Sequence, residues 1–238
     1  MLKLCVTRDD KLDDIIITED TSLELKLEDC NKNINIDVMN NMCLEVFELD
    51  INTNNKINYN LRDNSRVIVN KLARDNSDIT TITLDGENAS IKYYSSIMNY
   101  RDNEYIFKTI QNKNNTESIV VNHCINFTKS TFKFLVDSKI NKKMHNCYSM
   151  QDNKIIDLGD GHNYITPNLL VDSEDIEAEH SAYIGKFKSD VLFYLMSRGI
   201  SKDSAEKLLT KGFLLHNMII TGGEETDFNS FIDNNYNN

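Results

Sequence analysis

A lone histidine stands between an acidic run and a turn of small residues: residues 177–185 read EAEHSAYIG. Imidazole and carboxylate side chains both ligate metals. Glu177, Glu179 and His180 are therefore a candidate metal-binding set. On a regular strand, however, alternate side chains point to opposite faces. Glu177 and Glu179 then face away from His180 unless the strand bends. The plainer alternative is an interface histidine with ordinary hydrogen bonds and no metal.

Other groups invite weaker readings. Asp152, Asp157 and Asp160 form an acidic stretch of a kind that is usually only solvated. His162 and Tyr164, in GDGHNYITP, read as a turn at a strand start, and His145 and His216 have no convincing partners in the sequence. The five cysteines, Cys5, Cys30, Cys43, Cys124 and Cys147, are odd in number and contain no C-x-x-C. That pattern fits free thiols in a reducing cytoplasm better than a disulfide framework or a zinc site. There is no Gly-rich phosphate loop, no G-x-S-x-G and no H-E-x-x-H. The expectation is that the chain is not an enzyme.

The net charge of −11 over 238 residues argues against nucleic acid and against anionic membranes, both of which select clustered Lys and Arg. No run reaches the roughly 18 apolar residues of a membrane span, and the start, MLKLCVTRDD, turns acidic too soon for a signal sequence. Asn is abundant, at 32 residues. The plain reading is codon bias in an AT-rich genome; the alternative is that Asn fills tight turns, where it tolerates the left-handed conformation.

The elements that would position these groups are mostly strands. Short apolar runs recur about every ten residues: 15–18, 23–27, 34–38, 44–51, 56–61, 66–72, 79–86, 104–110, 118–123 and 132–136. Several alternate apolar with polar, the period of half-buried strands. No helix-length segments separate them, so a βαβ sheet is disfavoured. An antiparallel sandwich and a β-solenoid remain. Scarce hairpin turns favour the solenoid, although no strict repeat is visible. From Ser189 the period becomes helical, with Val191, Leu192, Tyr194 and Leu195, and Gly199 fits a helix end. Ser201 suits the N-cap of a second helix, with Ala205, Leu208, Leu209, Phe213 and Ile219 or Ile220 on one face. The acidic tail over 222–238 is expected to be loose, with at most a brief turn near Phe228 and Phe231.

The stretch from Tyr148 to Phe213, with EHSAYIGKF, DVLFYLMSRGIS and AEKLLTKGF, resembles the core domain of the SufB and SufD proteins of iron–sulfur cluster assembly, and more closely the SufD type. The resemblance rests on His180, Ala182, Gly185, Leu192, Phe193, Tyr194, Arg198, Gly199, Ile200 and Gly212-Phe213, in order. It implies a mainly β chain: a right-handed parallel β-helix over 1–183, then a helical segment over 184–221. It implies a non-catalytic scaffold that binds a SufC-type ABC ATPase through Phe193, Tyr194, Arg198, Gly199, Ile200 and Phe213, and that pairs with a SufB-type homologue or with itself. It makes His180 the candidate ligand for iron or a transient iron–sulfur cluster, with no cofactor stably bound. An alternative is a solenoid module that docks the ATPase and assembles no cluster.

The departures from the family pattern concern ligands. Aligned on Pro167, the SufB cysteine position holds Asp152. The Glu that follows the SufB histidine is Ser181 here, and the Cys that often stands two before the SufD histidine is Ala178. A shifted alignment brings Cys147 toward the site. Cys124 and His123 would lie one coil away, with Cys124 packed inside. Arg198 is expected to cap a helix end and to form an ion pair there.

Overall fold

Strands adjacent in sequence do not pair; each pairs in parallel with the strand two places on. The computed structural model describes residues 2–11, 13–216, 218–219 and 224–236, with backbone alone at 224–226. Odd strands form one sheet: β1 (Leu2–Thr7), β3 (Thr21–Glu28), β5 (Cys43–Ile51), β7 (Arg66–Arg74), β9 (Ser90–Asn99), β11 (Glu117–Asn126), β13 (Cys147–Asp157) and β15 (Ile176–Gly185). Even strands form the other: β2 (Asp14–Ile17), β4 (Asn33–Val38), β6 (Lys56–Leu61), β8 (Ile79–Leu84), β10 (Asn103–Gln111), β12 (Thr131–Ile140) and β14 (His162–Val171). The result is a parallel β-solenoid whose two sheets face each other across a filled interior. It is followed by α1 (Ser189–Ser197), α2 (Lys202–Leu215) and α3 (Glu224–Asn235).

The register explains why no strict repeat shows in the sequence. One inward column runs Leu23, Val46, Val69, Tyr93, Val120, Gln151, His180. Its steps begin at 23 residues and lengthen to 31 before the last. Fully buried Tyr59, Tyr93, Tyr105, Phe107, Phe132 and Phe134 fill the interior of the middle and later coils. Parallel strands need two turns per coil, and asparagine supplies many of them. At one corner Asn41, Asn64, Asn88, Asn115 and Asn146 all have φ between 53° and 65°, a region few non-glycine residues enter. Their amides also bond across coils, from Asn64 to Asn41 (3.0 Å), Asn88 to Asn64 (2.9 Å) and Asn146 to Asn115 (2.9 Å).

Strand β13 escaped the period-2 reading because its inward residues Ser149, Gln151 and Asn153 are polar yet buried. Inside the coil they continue polar columns. Ser95 donates to Asn122 (2.6 Å), and Asn122 donates to Asn153 (2.8 Å).

The tail is not loose where it is described. α3 lies back over the outer face of the odd sheet, with Phe228, Phe231 and Ile232 buried against Phe47, Leu72 and Met98. Three aromatic or aliphatic side chains at helical spacing outweigh the acidic composition. Ser201 caps α2 by accepting the Ser204 N–H, and Gly199 ends α1 at φ 88°. The buried face of α2 is Ala205, Thr210 and Leu214, while Leu208 is exposed. Ile219 is also exposed, and Ile220 lies outside the described residues.

Candidate functional site

The C-terminal end of the solenoid is open. β14 and β15 are the last strands of their sheets, so each has one unpaired edge. Their inward positions are Ile165, Pro167 and Leu169 on β14, and Ala178, His180, Ala182 and Ile184 on β15, in register with buried residues of β12 and β13. His180 stands at the top of its column directly above Gln151, inside the mouth, and is exposed. Gln151 Oε1 and Asn153 Nδ2, one layer down, are buried and have no hydrogen-bond partner.

Strand alternation separates the candidates. Glu177, Glu179 and Ser181 lie on the outer face of β15, and the strand does not bend to bring the glutamates to His180. Glu179 instead accepts from the Tyr148 hydroxyl at 2.6 Å, a bond that pushes the Tyr148 pKa up to about 12. Asp152 is also on the outer face, where it accepts from Ser181 and pairs with Lys154 at 2.6 Å. Burial opposes its charge, but the bonds from Lys154 and Ser181 outweigh burial and keep the carboxyl below its usual range.

Cys147 does not reach this group. Its thiol is buried on the inner face of β13, bonded to the Lys113 carbonyl at 3.3 Å, while Asp152 faces out. Cys124 is buried inside the coil. Asp157 accepts the Gly161 N–H and Asp160 pairs with Lys186, so the three aspartates do not converge on one point. His162 and Tyr164 are exposed at the start of β14, His145 lies 3.6 Å from Asp175, and His216 caps α2.

His123, expected only to lie one coil away, ties the solenoid to the helices. Its Nδ1–H donates to the Phe213 carbonyl at 3.0 Å, and its ring stacks on Phe213 at 4.4 Å. Nδ1 therefore carries the proton in the neutral ring. Burial lowers the His123 pKa to about 4, against the opposing effect of the Phe213 bond. Ser96 donates to the Leu214 carbonyl at 2.5 Å, so two sheet side chains serve the carbonyls at the end of α2. A histidine on a strand carries no sequence signal for such a contact, which is 90 residues away along the chain.

The helices present an apolar surface to solvent. Phe193 is 72% exposed, Tyr194 56% and Met196 45% on α1, and Leu208 is 51% exposed on α2. Arg198 forms the C-cap of α1, but its guanidinium lies over the Tyr194 ring at 5.3 Å and makes no ion pair among the described residues. Gly199 and Ile200 form the turn between the helices, and Phe213 is half-buried against His123 and Phe187. No helix among the described residues is long and apolar enough to cross a membrane.

A parallel solenoid covered on one face by a helical return, open at one end and carrying an apolar helix pair, defines a β-solenoid protein with an appended helical segment. Residues 15–213 match the family described as "SUF system FeS cluster assembly, SufBD core domain", and the chain belongs to that family. It is 50% identical over 48 residues, 20% of its length, to the iron–sulfur cluster assembly protein SufD of Bacillus subtilis. It is 29% identical over 134 residues, 55% of its length, to a SufBD family protein of Porphyra purpurea, and 31% identical over 135 residues, also 55%, to one of a Synechocystis strain. The matched stretches span 11%, 27% and 28% of those relatives' own lengths.

Proposed function

We propose that the chain is a non-catalytic scaffold subunit of an iron–sulfur cluster assembly complex, working with a SufC-type ABC ATPase in a reducing cytoplasm. The carrying observation is the uncovered apolar face of α1 and α2, on the segment whose sequence resembles the family most closely. Phe193, Tyr194, Arg198, Gly199 and Ile200 form its contact patch, and Phe213 fixes the patch to the solenoid. The open mouth, with two unpaired strand edges around His180, receives a second β-helix, either a SufB-type homologue or a second copy of this chain. The nascent cluster is cargo of that seam, and His180 is the imidazole this chain offers it.

The separation of His180 from Asp152 and Ser181 supports the second reading, a module that docks the ATPase and leaves cluster chemistry to another subunit. Co-purification with a SufC-type ATPase tests the docking half. Wild type is expected to hold the ATPase and Phe193→Glu to lose it; retention by the variant overturns the helix assignment. Anaerobic reconstitution of the purified complex with iron and sulfide tests the cargo half. Lower visible absorbance for His180→Ala supports a ligand or positioning role, whereas equal spectra assign the cluster to another chain.

A further inference from the structure

Four charged side chains sit in the interior of the solenoid, at β5, β7 and the turn after β7. Lys71 Nζ lies 2.7 Å from Glu48 Oε1, 2.7 Å from Asp50 Oδ2 and 2.6 Å from Asp78 Oδ2, and all four side chains are 0% exposed. An ammonium has three N–H donors, and these contacts use all of them. The three carboxylates have the spacing of a cation cage, and the ammonium already fills it.

The carboxylates are not equivalent. Asp78 is well supplied with donors: the Asn55 N–H (2.6 Å), Thr53 Oγ1 (3.1 Å) and Asn76 Nδ2 (2.9 Å). Glu48 and Asp50 are inward neighbours two residues apart on β5. Each keeps one buried oxygen, Oε2 and Oδ1, with no hydrogen-bond partner. The Tyr59 hydroxyl on β6 is likewise buried without a partner, and Glu48 is the charge that acts on it most. From the other packed strands, Tyr93 and Tyr105 face the cluster with their hydroxyls 3.2 Å apart, and the Tyr105 ring lies 5.6 Å from Lys71 Nζ. Half-buried Cys30 approaches through Asn55. None of these neighbours brings a second positive charge.

Full ionisation leaves three negative charges around one positive. Two like charges 4 Å apart repel by roughly 4 kcal/mol even at an effective dielectric of 20. One proton on the Glu48–Asp50 pair removes a charge and turns an acceptor oxygen into a donor, as in carboxylate dyads. We propose that Glu48 and Asp50 share one bound proton at neutral pH, which makes this cluster a proton-binding site whose emptying at alkaline pH destabilises the surrounding coils. Burial first, and the Glu48 charge second, push the Asp50 carboxyl well above the ordinary range, in line with the geometry. Burial opposes the Lys71 charge, but Asp50, Asp78 and Glu48 outweigh it and hold the ammonium protonated. A carboxyl whose pKa is raised by folding contributes stability that is complete below the unfolded value and is lost as pH rises through the folded one.

Urea unfolding of wild type, Asp50→Asn and Asp78→Asn from pH 6 to 9.5, with and without EDTA and with Na⁺ exchanged for K⁺, tests this. The amide is an isostere of the protonated acid. Asp50→Asn is expected to fold, to match wild type near neutrality and to flatten the alkaline decline. In wild type that decline approaches tenfold in the folding constant per pH unit while the folded state holds the proton and the unfolded chain does not, and it levels off once the pair titrates. Asp78→Asn is expected to lose stability throughout the pH range. Loss of stability or of folding in Asp50→Asn comparable to Asp78→Asn overturns the proposal, as does a wild-type midpoint that depends on EDTA or on the alkali cation. Difference infrared spectroscopy of wild type is an independent readout. A protonated-carboxyl carbonyl band at pH 7 that disappears on alkalinisation and is missing in Asp50→Asn is expected, and no such band at pH 7 overturns the assignment.

Discussion

Ser181 lies directly above Asp152 on the outer face of the solenoid and donates its hydroxyl to Oδ1, while His180, one residue earlier, points into the mouth above Gln151. Two adjacent positions thus address different compartments: one faces the side on which the helices pack, the other the open C-terminal mouth of the solenoid.

His180 is therefore separable from the fold. It is exposed on an edge strand, and removing such a side chain usually changes stability by less than about 0.5 kcal/mol. His180→Ala is expected to unfold at the wild-type urea concentration, so any loss of cluster in reconstitution is chemical in origin. A clear drop in the midpoint would assign His180 a packing role instead.

The junction between solenoid and helices is expected to be acid-sensitive. His123 is held neutral at pH 7 with a folded pKa of about 4, below its unfolded value near 6.5. Its contribution is complete above pH 6.5 and is lost as pH falls toward 4, on the order of 3 kcal/mol for the full shift. His123→Asn keeps an N–H near the Phe213 carbonyl and does not titrate. Unfolding midpoints at pH 7 and pH 5 should therefore converge more closely in the variant than in wild type.

The apolar residues of the helical segment divide into two groups. Phe228 of α3 is 1% exposed, and Phe228→Ala should cost about 3–5 kcal/mol through lost contacts and the cavity left behind. Phe193, at 72% exposure, should tolerate Ala with almost no change in stability and lose only partner binding. Denaturation and pull-down of the two variants in parallel are the check, and equal denaturation profiles would contradict the packing of α3.

Gly86 is required for lack of space. A Cβ there would lie 1.9 Å from the Arg62 carbonyl carbon, a backbone atom that cannot rotate away. Gly86→Ala should lower the melting temperature sharply or abolish soluble expression, whereas Gly212→Ala, with nothing within 4 Å, should be benign by the same assay.

Many strands with apolar inward faces were legible: Leu23, Leu25 and Leu27 announce β3, and Ile34, Ile36 and Val38 announce β4, whereas β9, with Ser95 and Ser96 amid its apolar residues, was not. So were the Ser201 cap and the Gly199 stop, because local backbone chemistry fixes both. β13 was not legible, since hydrogen bonds from neighbouring coils stand in for apolar burial at Ser149, Gln151 and Asn153. α3 was hidden by its acidic residues, and the Lys71 cluster by alternation that reads as a solvated face until Glu48, Asp50 and Lys71 are seen to point inward. Of the site, the opposed faces of His180 and Glu179 follow from strand geometry alone. The tie between His123 and Phe213 depends on a long-range return of the chain that no local pattern encodes.

That return also bears on how the molecule comes apart. A solenoid whose coils touch only their neighbours melts as a line of coupled units, free to fray from either end. Here α2, Met218 and α3 rest on Phe47, Leu72, Met98, Ile125 and Ile156, one from each of five successive coils. They act as a splint laid along the stack: no coil beneath it can open without lifting the splint, and lifting it exposes all five. A one-dimensional array is thereby turned into a cooperative body, and helices that follow the solenoid in sequence set the cooperativity of the coils that precede them.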